Sequence, residues 1–324
     1  MGRLGSGPIV LPIFSVPVTA KPMSKRKPTL EELRTEIDRI DDTIHDLLMD
    51  RALVVEGVRK LKDDNRPMYR PGREADILYR LATRHSGAFP VQSVLRMWRE
   101  LIAGTLMLEG PFFIAVQAPE QNDGYLDLAR DHFGTFSPII RHQSAASVIE
   151  DVRKGKASVG ILPFPERDAE DVWWRYLASG ETGRPMVVGR LPFFGRSNAR
   201  GALLDALVIS AIPPTATGRD VTLFAFPASN QISRARLKSA FTASDLDAGL
   251  ILDWPLPGSG EGRLFVVEVD GFVTSDDERQ GGVLGRLEGH MDHLIWLGAY
   301  PRPLSDEDLG IPAKSRQGKT RKKS

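Results

Sequence analysis

Apolar residues recur along Thr29–Lys62 at helical spacing: Leu30, Leu33, Ile37, Ile40, Ile44, Leu47, Leu48 and Val55 form one stripe. Thr29 followed by Glu32 reads as a capping box at its start, and no proline interrupts it before Pro67. A helix of about 34 residues is about 50 Å long, too long for one compact domain, so the pattern predicts pairing with further helices or with a second copy. After the loop "DDNRPMYRPG", "READILYRLATRH" predicts a second helix. "PVQSVLRMWRELIAGTLMLEG" predicts a third, with Pro90 near its start and Gly110 at its end.

From Pro111 the period changes. Strand, helix, strand, helix and strand are predicted in turn at "FFIAVQA", "GYLDLARDHFG", "SPIIRHQ", "SAASVIEDVRKG" and "ASVGILPFP", a βαβαβ order that implies a parallel sheet. "PMVVGRLPFF" and "DALVISAI" read as further strands. From Asp220 a βαββαβ series follows, the ferredoxin-like order. The expected organisation has an extension at 1–28, a helical domain at 29–110, a truncated α/β domain at 111–212, an α+β domain at 213–304 and a basic tail at 305–324.

Composition narrows the classes. The 324 residues hold 43 Lys and Arg against 42 Asp and Glu, so no net charge favours nucleic acid. The absence of cysteine excludes disulfides, thiolate metal sites and thiol catalysis, and fits a reducing cytoplasm. No apolar run reaches the roughly 20 residues of a membrane span. "IVLPIFSVPV" resembles a signal-peptide core, but Pro12 and Pro17 interrupt it; a disordered extension, or a start at Met23, is expected. The end "AKSRQGKTRKKS" is expected to be a solvated disordered tail. His290 and His293 lack converging partners for a metal, and "GSGEG" at 258–262 lies between two strands, so it reads as a hairpin rather than a phosphate loop. No cofactor is expected.

One constellation carries chemistry. Arg51 and Lys62 are eleven residues apart, three helical turns, which puts both cations on one face about 16 Å apart. Taken alone, such charges are most simply a wet helix face. The wider pattern says more. Leu33-Arg34, Arg51, Lys62, Arg73-Glu74, Thr105 and Glu109 stand at spacings that resemble the all-helical class of chorismate mutases, allowing one loop residue deleted. That resemblance implies a three-helix, intertwined dimeric fold and the intramolecular rearrangement of chorismate to prephenate. It also implies roles: Arg34 and Arg51 clamp carboxylates, Lys62 reaches a carboxylate and the ether oxygen, Arg73 and Glu74 position the ring end, Thr105 bonds a carboxylate and Glu109 the ether oxygen.

The chemistry suits those residue types. A dianion rearranging within itself needs neither nucleophile nor metal, only a held conformer and stabilised charge, and arginine's planar fork binds carboxylates bidentately. Arg34 and Arg51 are about 25 Å apart on a straight helix, so a site using both takes Arg34 from a second protomer. Two departures stand out. The family has Gln or Glu where Glu109 stands; an ionised Glu only accepts, so burial is expected to keep Glu109 protonated. Arg70 stands where the family usually has Asp.

Residues 112–301 more loosely resemble prephenate dehydratase followed by an ACT domain. Leu162–Glu166 and Leu204-Asp205-Ala206 stand where that family has its "PIENS" and "TRF" motifs, without their catalytic residues, and a non-catalytic region is expected. Ser233-Arg234-Ala235 and Asp253 depart from the ACT family's phenylalanine motifs, so an aromatic amino acid effector and a purely dimerising role stay open. Two alternatives to the mutase reading are a bifunctional mutase/dehydratase and a non-catalytic effector-binding or scaffolding protein.

Overall fold

The computed structural model describes residues 26–61, 69–120, 123–166, 172–179, 183–195, 203–256 and 262–311. Lys62, most of its loop, the "GSGEG" turn, the first 25 residues and the basic end from 312 lie outside the described residues. The chain divides into two units, Met1–Val54 and Val55–Ser324.

The first unit is the N-terminal part of helix α1, which runs Leu30–Leu61. The capping box forms as the sequence implies. The Thr29 amide donates to the Glu32 carboxylate at 2.8 Å and the Glu32 amide to the Thr29 hydroxyl at 3.3 Å. Leu30, Leu33, Ile37, Ile40, Ile44 and Leu47 are all between 43% and 65% exposed, an apolar stripe left uncovered among the described residues.

The second unit opens with α2 (Pro71–Arg84) and α3 (Val91–Glu109). Next come β1 (Ile114–Gln117), α4 (Gly124–Phe133), β2 (Ile139–His142), α5 (Ala145–Arg153), β3 (Val159–Pro163), the one-turn α6 (Trp174–Leu177), β4 (Met186–Leu191) and β5 (Ala206–Ser210). The chain continues through β6 (Asp220–Ser229), α7 (Arg234–Thr242), β7 (Ala248–Pro255), β8 (Gly262–Asp270), α8 (Arg279–Arg286) and β9 (Ile295–Pro301). The predicted elements are present; α6 was not read from the sequence, being one turn rich in tryptophan.

The two predicted β regions form one nine-stranded sheet, ordered β2-β1-β3-β5-β4-β9-β6-β8-β7. β1 pairs in parallel with β2 and β3, as the βαβαβ order requires, while β5 runs antiparallel to β3 and β4. The last four strands in this order, β9-β6-β8-β7, have the ferredoxin-like arrangement. Parallel pairing of Val187 in β4 with Gly298 in β9 joins the halves. Gly298 has φ 130°, and a Cβ there would sit 2.2 Å from the Val187 carbonyl oxygen, so only glycine permits this approach.

Both sheet faces are covered. α4 packs on one side of β1 and β3, with Leu126, Ala129 and Phe133 against Ile114, Val116 and Ile161. On the other side α5 places Val148 and Val152 over Ala115, and Trp173 and Trp174 of the α6 turn join the same core as Trp254 and Tyr300. Trp174 and Trp254 have ring centroids 4.0 Å apart. α7 and α8 cover the remaining face of the ferredoxin-like strands through Leu237, Phe241 and Val283.

α2 and α3 are built into the same unit. Leu78 and Leu95 are fully buried in a cluster with Phe193, Leu304 and Leu309. Residues 305–311, expected in the tail, are built into this unit. Asp308 accepts from the Ser305 amide and hydroxyl at 2.8 Å and from Arg219 at 2.8 Å, and Leu309 fills the cluster. Among the described residues no helix is long and apolar enough to cross a membrane.

Candidate active site

Arg34 lies on the first two turns of the described helix with its side chain mostly in solvent, 3.7 Å from Glu31 one turn earlier. Arg51 lies seventeen residues further along α1 and is half-buried. These are the two candidate site cations that fall in the first unit, and the helix that carries both keeps them several turns apart. Lys62, the third, lies outside the described residues.

In the second unit Arg73 and Glu74 are adjacent in the first turn of α2 but point into different surroundings. Arg73 is exposed; Glu74 is 6% exposed. The Glu74 carboxylate accepts from Nη1 of Arg99 at 2.9 Å, and Arg99 is itself 2% exposed. Nε of Arg99 donates to the His132 carbonyl in the last turn of α4 at 2.7 Å. Burial raises the Glu74 proton affinity, Arg99 pulls it back down, and Glu109 raises it again. So Glu74, expected at the substrate's ring end, is anchored to α3, and Arg99 is a polar residue of this region that periodicity could not single out. A buried arginine on a mostly apolar helix face carries no signal in one sequence.

Thr105 and Glu109, one turn apart on α3, are both half-buried. The Thr105 hydroxyl donates to the Leu101 carbonyl one turn back at 2.7 Å. Arg59 near the end of α1 donates to the Leu108 carbonyl at 2.8 Å, which ties that part of α1 to α3.

Two cavities flank Tyr69 and Pro71. One has room for about one water, about 20 Å³, and is lined by Glu74, Arg99 and His132. The other measures about 380 Å³ and has Arg70 and Arg73 on its wall. The acid and the exposed cation of the Arg73-Glu74 pair thus face separate spaces.

The positions that resemble dehydratase motifs meet in the sheet. The Arg190 guanidinium lies 4.2 Å from the Phe164 ring centroid and donates to Asp205 at 2.9 Å and Glu268 at 3.2 Å. Tyr300 donates to the same Glu268 carboxylate. Further along the sheet, Asp253 accepts from both Arg234 and Arg263, so the acid is neutralised where the ACT resemblance places an effector motif. Of the histidines, His142 lies 2.8 Å from Asp151, and His290 lies 3.0 Å from Arg236.

Residues 33–110 match the family of chorismate mutase type II and form a domain of that class. Among curated proteins, the chain is 30% identical over 139 residues to the "Bifunctional chorismate mutase/prephenate dehydratase" of Aquifex aeolicus (strain VF5). That match covers 41% of this chain and 38% of the relative, so the chain spans under two fifths of the length of the curated relative it matches. Among solved structures, "GqqA- a novel type of quorum quenching acylases" superposes with a TM-score of 0.45 at 18% identity, over 60% of this chain and 96% of the other. Prephenate dehydratase from Streptococcus mutans superposes with a TM-score of 0.42 at 17% identity, over 58% and 97%. The structural likeness is loose at those scores.

Proposed function

We propose that this protein is a cytoplasmic chorismate mutase that makes prephenate for phenylalanine and tyrosine synthesis, and that its sheet region is not catalytic. The match of residues 33–110 to chorismate mutase type II carries the reading. The cations Arg34, Arg51 and Lys62 hold the carboxylates of chorismate in the folded-over conformer that reacts, and Arg73 positions the ring end. Lys62 and Glu109 stabilise charge on the ether oxygen as its bond to carbon breaks and the new carbon–carbon bond forms. Thr105 accompanies a carboxylate. Glu74, held by Arg99, acts on the substrate hydroxyl only if that ion pair opens or is shared.

The active form is a homodimer in which Arg34 comes from the other protomer. The exposed apolar stripe of α1 supports this, since six large side chains in water are a strong drive to pair. The C-terminal strands form an ACT-like unit, which either binds an aromatic amino acid or serves only to join copies.

The test is direct. Purified full-length protein should deplete chorismate and accumulate prephenate without an added cofactor. No depletion under any condition would leave a binding or scaffolding role. A second reading, a bifunctional mutase/dehydratase, has the name of the Aquifex aeolicus relative in its favour. It predicts release of phenylpyruvate from prephenate. The Arg190 network, which engages Phe164 and Asp205, weighs against it.

A further inference from the structure

We infer that the 380 Å³ pocket beside Arg73 is a binding site for a small ring-bearing carboxylate, and that one of its walls belongs to the sheet rather than to the helices. Arg70 and Arg73 supply two guanidiniums on the α2 side, and no carboxylate lines the pocket among the described residues. Across from them the connection from β5 to β6 supplies the hydroxyl of Thr215 and the apolar side chain of Ile212, while the Ser210 hydroxyl is bonded to the Ser158 carbonyl and the Ile212 amide. Tyr69 contributes an aromatic wall. The volume falls in the range of about 300–1,000 Å³ typical of small-molecule sites, while an inorganic anion would leave most of it empty. Cations opposite a hydroxyl with apolar surface between them fit a carboxylate attached to a ring.

Glu74 does not cancel the charge of its neighbour Arg73, because it lies in the separate water-sized cavity with Arg99 as its partner. The inference deepens the reading of Arg73 as a substrate-positioning cation. It rests on that reading only in taking chorismate or prephenate as one source of the ligand; a ring carboxylate acting as an effector is the other.

The test is isothermal titration of the full chain with prephenate, phenylpyruvate, benzoate and inorganic phosphate, repeated on Arg70→Gln and Ile212→Trp. At least one ring carboxylate should bind saturably, phosphate should bind about tenfold more weakly or worse, and each variant should weaken the ring carboxylate by about tenfold. If prephenate is the ligand, Ile212→Trp also raises KM for chorismate, and the pocket is part of the substrate site. If benzoate or phenylpyruvate binds while that KM is unchanged, the pocket is an effector site. Absence of any ring-carboxylate binding overturns the inference. So does wild-type affinity in both variants, or phosphate binding as tightly as the best ring compound. Arg70→Gln, on a half-buried position, guards against Ile212→Trp simply failing to fold. A chain that leaves chorismate untouched yet binds benzoate through Arg70 sinks the mutase reading and keeps this one. Turnover with no binding at this pocket does the reverse.

Discussion

Arg99 and Glu74 form an ion pair 2.9 Å long with almost no access to water, across the contact between α3 and α2. The second donor of Arg99 goes to the His132 carbonyl, so one guanidinium ties both helices to α4 beside the sheet. Taking either charge out of water is costly, and the pair persists because each half satisfies the other.

Removing one half should therefore be worse than removing both. Arg99→Leu leaves the Glu74 carboxylate buried and unpaired and should cost about 3–5 kcal/mol. The double variant Arg99→Leu/Glu74→Leu should recover much of that. Urea unfolding of the three proteins measures it; a single variant within about 1 kcal/mol of wild type would contradict the buried pair.

His132 gives a pH dependence. The residue is half-buried, and desolvation by the surrounding protein, then the Arg99 guanidinium, hold its proton affinity well below the usual imidazole value. Below the ordinary pKa of about 6.5 the unfolded chain takes a proton that the folded chain refuses. Stability from this group is thus complete above that pH and is lost as the pH falls, by at most about 1.4 kcal/mol per unit. Glu74, raised by burial, works in the opposite sense as the pH rises above the usual carboxylate range. Comparison with His132→Asn separates them: the variant keeps the backbone carbonyl and should show a flatter stability profile between pH 7 and about 5. Identical profiles would remove His132 as the cause.

The helical domain should not survive excision. Beyond Arg99, the Tyr79 hydroxyl donates to the Arg302 carbonyl, Arg96 pairs with Asp131 at 2.7 Å, and Glu100 accepts from the Thr135 hydroxyl at 3.0 Å. Leu78 and Leu95 pack against Phe193, Leu304 and Leu309. A fragment ending at Gly110 exposes all of this surface, and size-exclusion chromatography should find it aggregated or weakly folded. A well-folded, fully active fragment would show that the sheet is dispensable.

The shared site makes a complementation prediction. Arg34→Ala and Arg51→Ala should each reduce kcat/KM by at least about a hundredfold, as expected for loss of a carboxylate clamp. Unfolding and refolding the two together should restore about a quarter of wild-type activity, since half the dimers are mixed and each mixed dimer holds one intact site. Activity that stays at the level of the separate variants would mean that both arginines act within one chain.

The capping box of Thr29 and Glu32, the helix boundaries and the ferredoxin-like strand order were legible in the sequence, because hydrophobic period and local caps are encoded within a few residues of where they act. Tertiary structure decided the rest. That Gly298 lets β9 reach β4 depends on a backbone approach between residues over a hundred apart. The partition of Arg73 and Glu74 depends on Arg99, twenty-five residues from Glu74 in sequence, and on a sheet that closes over them. Burial and charge pairing are properties of what lies opposite, and the sequence of one element does not contain its opposite.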